Sequence, residues 1–463
     1  MSPLPLIIVT VETSSTQTKN RTVEIFAALD YSAAMKLIHF EKKLSLAGAI
    51  CVTVGAIIGV GIFIIVGPIG RDSGAWMPLV FVIAAIPAYF GAAASSALGS
   101  TIPADGGGFF YCRSLLGRPA GAVTSMLIVI GAMGAMGTVS VGVANYLAIY
   151  APEIPRPVTA ISLILLSWFI NYVGIMASEK FQIILVVQLV TALLLVIVAG
   201  IIGGGNPDFS QPLPKGTGGF IGAAVLACLA YTGFNIVGEL GDEIENPRRN
   251  LPITIMVGLG IVAVIYIMCG WVVAGSLSVD EMATSKVALM DTAMRHLPRW
   301  TQHYINLAAL GAAITSINAV FLAAPREFVA LAEEGILPKW FMKFNPKRQT
   351  FDNGMYLVLA VGCGMMLLQR KADDWGLMCV AGLLLSNVIL SFAAFFIFKK
   401  FPDKVATSPA PLRKWWVYPC AGLSALFSLA FGALSFTQWL PVGFIVGAGA
   451  AVGLALTWRA GRR

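Results

Sequence analysis

The stretch VGAIIGVGIF, Val54 to Phe63, places Gly55, Gly59 and Gly61 inside an apolar run. Glycine in a helix interior costs about 1 kcal/mol relative to alanine. Two uses offset that cost. Small residues four apart let helices approach closely, and Gly55 and Gly59 have that spacing. Alternatively the helix is interrupted, which leaves amides at the start of one half and carbonyls at the end of the other without partners. Those ends are positive and negative, so together they hold a carboxylate and an ammonium without any charged side chain. An α-amino acid carries that pair of charges.

A second segment repeats the feature. In LACLAYTGFNIVGELGDEIENPRRNLP, residues 226–252, Thr232 and Gly233 interrupt apolar residues before an acidic exit through Asp242, Glu243 and Glu245, and Pro247 ends the helix. Glu239 follows Gly233 by about 9 Å of helical rise, either in an inner pathway or as a solvated helix exit.

The elements that position these breaks are membrane helices. The chain has 463 residues, 57% hydrophobic and 12% charged, with a mean hydropathy of +0.82. Apolar stretches of about 20 residues, each long enough to cross a hydrocarbon core, recur along it. About twelve spans are expected, near 44–69, 75–98, 119–150, 157–178, 180–204, 219–246, 251–275, 302–332, 354–370, 375–399, 414–436 and 438–458. With the first loop outside, 23 of the 31 Lys and Arg fall on the cytoplasmic side, which puts both termini inside. The net charge of +8 is therefore an orientation signal, and no nucleic-acid partner is expected. Residues 1–40 read as a flexible cytoplasmic tail, with Met35 as an alternative start.

The loop 276–300 is either a lid over the outer mouth or a connector. The Asp and Glu residues fall in loops, in the tail or near span ends, so a proton relay across the membrane has little to be made from. Seven cysteines without paired spacing read as packing residues, and His39, His296 and His303 stand apart from them. No metal site, cofactor or catalytic residue is assigned. Breaks in spans one and six are the mark of two inverted five-span repeats, over 41–204 and 219–399, with two further helices in 413–463.

At four places the residues resemble the amino acid-polyamine-organocation transporter superfamily, which has the leucine-transporter fold: GAIIGVGIF, IPADGGGFFYCRSLLGRPAGA, AYTGFNIVGELGDEIENPRRNLP and APREFVALAEEGILP. The resemblance implies an all-α integral membrane permease of the cell membrane, not an enzyme. Carried over, the carboxylate-binding amides fall at Gly59, Val60 and Gly61, with carbonyls from Ile57 and Ile58. The carbonyls of Ala230, Tyr231 and Thr232 face the substrate ammonium. Gly233 gives the unwound turn its freedom, Tyr231 is either an aromatic gate or a packed tyrosine, and Phe234 and Glu239 belong to the gate or pathway.

Val60 stands where many relatives have Ser, and Asn235 where they have Glu, so a titrating acid is lost near the site. Helix five also lacks the lysine of some proton-coupled relatives. Thr315 and Ser316 lie where sodium-coupled members use hydroxyls with helix-one carbonyls such as that of Ile57. The coupling ion is left open between Na⁺, H⁺ and none, the last being exchange. The absence of a counter-charge favours small neutral amino acids over cationic ones or polyamines. The oligomeric state is not read from the sequence.

Overall fold

The computed structural model describes residues 45–59, 61–102, 107–173, 179–233, 244–345, 350–408 and 412–460. The tail with Met35, together with Val60, Phe234, Asn235 and Glu239, lies outside them. Among the described residues the chain is helical, with one isolated bridge between Asn345 and Thr350.

The helices are α1 Leu46–Ile57, α2 Gly61–Ser73, α3 Met77–Thr101, α4 Gly107–Leu116, α5 Arg118–Leu147, α6 Arg156–Val173, α7 Glu179–Ile202 and α8 Gly216–Ala227. They continue with α9 Pro247–Ser276, α10 Val279–Thr284, α11 Ala288–His296, α12 Thr301–Glu333, α13 Asp352–Leu367, α14 Ala372–Ala394, α15 Lys414–Gln438 and α16 Leu440–Ala460. Among the described residues nine helical stretches are long and apolar enough to cross a membrane. Three shorter apolar helices, Leu46–Ile57, Gly216–Tyr231 and Asp352–Leu367, fall below that length. The first two are short because the chain stops being α-helical inside an apolar run.

Large apolar side chains at Ile184, Val187 and Ile202 on α7, Val264 on α9, Leu426 on α15 and Phe444 on α16 are exposed. In water such a surface would be costly. On a multi-pass membrane protein it is the face that meets lipid. The polar backbone is satisfied within the helices, as a hydrocarbon solvent demands.

The core is built on α5 and α14, which run against each other, with α12 on the other side of α5 and α9 against α3. Glycine permits the first contact. A methyl group added to Gly134 would lie 2.5 Å from the Cys379 backbone nitrogen, and one on Gly382 would lie 2.6 Å from that of Gly131. The loop 276–300 folds into α10 and α11, and both pack on α2. Its first helix is closed by a capping box in which Ser278 and Glu281 satisfy each other's backbone amides.

Glu327 stands six residues from the end of α12, near a span end as the sequence indicated, and is wholly buried, which the sequence did not show. An acid is therefore held inside the protein, because α4 and α5 cover the last turns of α12.

Candidate functional site

Ser45 starts α1, its hydroxyl accepting from the Gly48 amide at 3.1 Å. The helix then runs only to Ile57. Ile58 takes ψ 58°, and the Gly59 amide turns back to the Ile57 carbonyl at 2.7 Å. In a continuous helix that carbonyl would accept from Gly61 four residues on. Here it also accepts the Tyr266 hydroxyl of α9 at 3.0 Å. Gly61 opens α2 instead, so its amide is among those a helix start leaves without an intrahelical partner.

At the second segment the helix ends differently. α8 tightens into a 3₁₀ turn, Cys228–Tyr231, after which Thr232 is extended and Gly233 takes φ +114°. A residue with a side chain is strained at that φ, so glycine is required there. The two breaks meet. A methyl group on Gly233 would lie 2.6 Å from the Ala56 carbonyl oxygen, and one on Gly61 would lie 3.6 Å from the Ala230 Cα. The bare backbones of the two interrupted segments are therefore in contact.

Beside this contact is a cavity of about 80 Å³. α1, α2 and the second break contribute Ala56, Ile57, Gly59, Gly61, Leu229, Thr232 and Gly233. Its other walls come from α5, α12 and α14, including Ala132, Thr138, Ser316, Val320 and Leu383. No charged residue lines it among the described residues. Its hydroxyls are turned to backbone carbonyls: Thr138 to Gly134, Thr232 to Leu229 and Ser316 to Ala312.

The expected site residues thus divide. Ile57, Gly59, Gly61, Thr232, Gly233 and Ser316 line the cavity, while Ile58, Ala230, Tyr231 and Thr315 do not. Of the amides assigned to a carboxylate, that of Gly59 is already bonded to Ile57, which among the described residues leaves that of Gly61. Val60, Phe234, Asn235 and Glu239 fall outside the described residues.

Tyr231 is a packed tyrosine here. It is buried, its hydroxyl donates to the Phe81 carbonyl at 2.9 Å, and its ring stands 5.3 Å from that of Tyr266. Gly55 is a packing glycine, since a methyl group on it would lie 2.3 Å from Val186 of α7. For a cation, the Ile57 carbonyl has both lone pairs engaged, and the Thr315 and Ser316 hydroxyls both donate to Ala312.

Sequence reading missed Tyr266, the wall on α5 and Leu383. The small residues at Ala132 and Ala135 on α5 were the available signal for that wall, but any closely packed membrane helix shows it.

Comparison with known proteins returns one family, described as amino acid permease, matched over residues 44–457. A branched-chain amino acid permease of Bacillus subtilis is 24% identical over 424 residues, covering 85% of this chain and 89% of that protein. A methylthioribose transporter of the same organism is 26% identical over 442 residues, covering 90% and 94%. An uncharacterized transporter of Mycobacterium tuberculosis is 26% identical over 344 residues, covering 73% and 76%.

Proposed function

The chain belongs to the amino acid permease family, a family of transporters and not of enzymes, and on that premise we propose that it moves small neutral amino acids with uncharged side chains by alternating access. The observation that carries this reading is the contact of two interrupted backbones beside an uncharged cavity. The substrate carboxylate sits at the start of α2, where the Gly61 amide is turned out of the helix ladder and the dipole is positive. Carbonyls at the second break face its ammonium. The side chain points toward Ala132, Val320 and Leu383, whose apolar surfaces accept a small aliphatic group and give a cation no partner. The name of the branched-chain permease agrees with such a wall. That of the methylthioribose transporter names a different substrate.

In this reading the chain comprises two inverted repeats, and helices one, two, six and seven rock against the rest. It resides in the cell membrane with both termini cytoplasmic, as its Lys and Arg distribution indicates.

The test is uptake into proteoliposomes over a panel of labelled amino acids, each with a sodium gradient, a proton gradient or internal substrate imposed. Uptake of small aliphatic amino acids, competed by one another and not by lysine or spermidine, is expected. Failure of every amino acid to move would refute the reading, and preference for lysine would refute its substrate assignment.

A further inference from the structure

Glu327 is wholly buried in α12, two turns before the helix end. Ser125 of α5, equally buried, donates its hydroxyl to Oε2, and the Phe109 amide of α4 faces the carboxyl group. Oε1 has no hydrogen-bond partner among the described residues, and a methyl group on Gly108 would lie 3.2 Å from it.

Among the described residues no cation is paired with this carboxyl group. On α4, Arg113 is paired with Glu334, and on α5 Arg118 is paired with the same carboxylate. On α12, Arg326 and Glu333 are themselves engaged, and none of the ion pairs among the described residues includes Glu327. A further titratable group close enough to interact with it is the buried Cys112 thiol of α4. Asp105 lies outside the described residues.

Position gives this group a role. Ala323, one helical turn earlier, lines the cavity, as does Ile128, which is in turn packed beneath Gly108. Toward the helix end come the apolar cluster of Phe109, Leu331 and Ile336 and then the Arg113, Arg118 and Glu334 ion pairs. Glu327 therefore stands between the cavity and the inner surface, beneath the start of α4. A bare carboxylate cannot be left uncompensated in such a place without a cost of several kcal/mol.

We propose that Glu327 is a proton-binding site on the inner pathway, holding a proton while α4 is packed on it and giving it up when α4 and α12 separate. On separation the carboxyl O–H bond breaks and the proton passes to cytoplasmic water, leaving a hydrated carboxylate. Reprotonation restores a neutral group that packs again beneath Gly108. Linkage follows: the packed arrangement binds one more proton, so acid favours it and rising pH opens it. The inference rests on the transport reading above and assigns it one proton per substrate.

The experiment uses the full chain in proteoliposomes, with valinomycin and potassium holding the membrane potential at zero. For one proton per substrate, a one-unit gradient, acid outside, supports accumulation of about tenfold. Glu327→Gln keeps an acceptor for Ser125 and cannot titrate. It is expected to exchange external label for internal substrate while losing the gradient-driven accumulation. Accumulation by the variant equal to that of the parent, or a parent that exchanges substrate but ignores the gradient, overturns the proposal.

A second readout is independent of transport. Maleimide labelling of Cys112, corrected with a Cys112→Ser chain, should rise with pH more steeply in the parent than in Glu327→Gln, which keeps only the rise that thiolate formation gives any cysteine. Coincident pH profiles overturn the proton site even where exchange is absent in both chains. Movement of no amino acid by either protein refutes the transport reading instead.

Discussion

Gly59 and Gly233 carry opposite expectations although both are glycines lining the same cavity. A methyl group on Gly59 would lie 2.3 Å from the Ser316 hydroxyl oxygen and 3.4 Å from its Cβ. The oxygen is the end of a side chain and can rotate away, giving up its 2.8 Å bond to Ala312. That loss is about 1 kcal/mol, and the remaining 3.4 Å contact is ordinary. Gly59→Ala should therefore cost about 1 kcal/mol, a fivefold change in an equilibrium and on the order of 2 °C in unfolding temperature.

Removing the oxygen removes the clash. In a Ser316→Ala background, Gly59→Ala should cost close to nothing, so the two changes couple by about 1 kcal/mol. Gly233→Ala has no such escape. Its methyl group meets the Ala56 carbonyl, which is backbone, at a φ of +114°. Overpacking and strain contribute about 1–3 kcal/mol each, and Ser316→Ala should not relieve them. The assay is thermal unfolding of the detergent-solubilised chain in a double-mutant cycle, which needs no substrate. A Gly59→Ala defect that persists without the Ser316 hydroxyl would refute the placing of Gly59 against Ser316, and a Gly233→Ala change as mild as Gly59→Ala would refute the claim that the two breaks touch as described.

Other outcomes follow from the same geometry. Tyr266→Phe takes one of two donors from the Ile57 carbonyl and should destabilise the chain by about 1 kcal/mol, read by the same unfolding assay, with a larger effect on substrate affinity than on expression. Glu334→Gln weakens the ion pairs to Arg113 and Arg118, which are partly exposed, so the loss should be below about 2 kcal/mol and should shrink in high salt. In the 276–300 loop, the Ser278 amide, followed by the Ser278 hydroxyl and Arg295, holds the Glu281 carboxyl below its ordinary range. Its contribution is present above the usual glutamate value of about 4.3 and is lost as pH falls through the lowered one. Protection against hydrogen exchange over residues 278–296, relative to the intrinsic rate at each pH, should fall at that acid end, and Glu281→Gln should flatten the dependence.

The membrane class and the places where helices stop were legible in the sequence because both are local properties. Twenty apolar residues need a hydrocarbon thickness, and glycine weakens a helix wherever it stands. VGAIIGVGIF and AYTG accordingly marked where α1 ends and where the 3₁₀ turn after α8 ends, within a residue or two. What each glycine is for was not local. Gly55 abuts Val186, Gly59 abuts Ser316 and Gly233 abuts Ala56, and these partners lie far apart in the chain.

By itself, the sequence determined a multi-pass helical protein, its expected orientation and two points where backbone amides and carbonyls are released. Only the tertiary structure decided that those points touch, that Tyr231 packs against Tyr266 away from the cavity, and that Tyr266 closes the end of α1. It also decided that Glu327 is sealed beneath Gly108 and Ser125. The physical reason is the same throughout. Hydrophobicity and helix propensity act over one or two turns, whereas a side chain's surroundings depend on which helices cross and at what register. In this protein that register is set by glycine contacts such as Gly134 against Cys379, which bring α5 and α14 backbone to backbone.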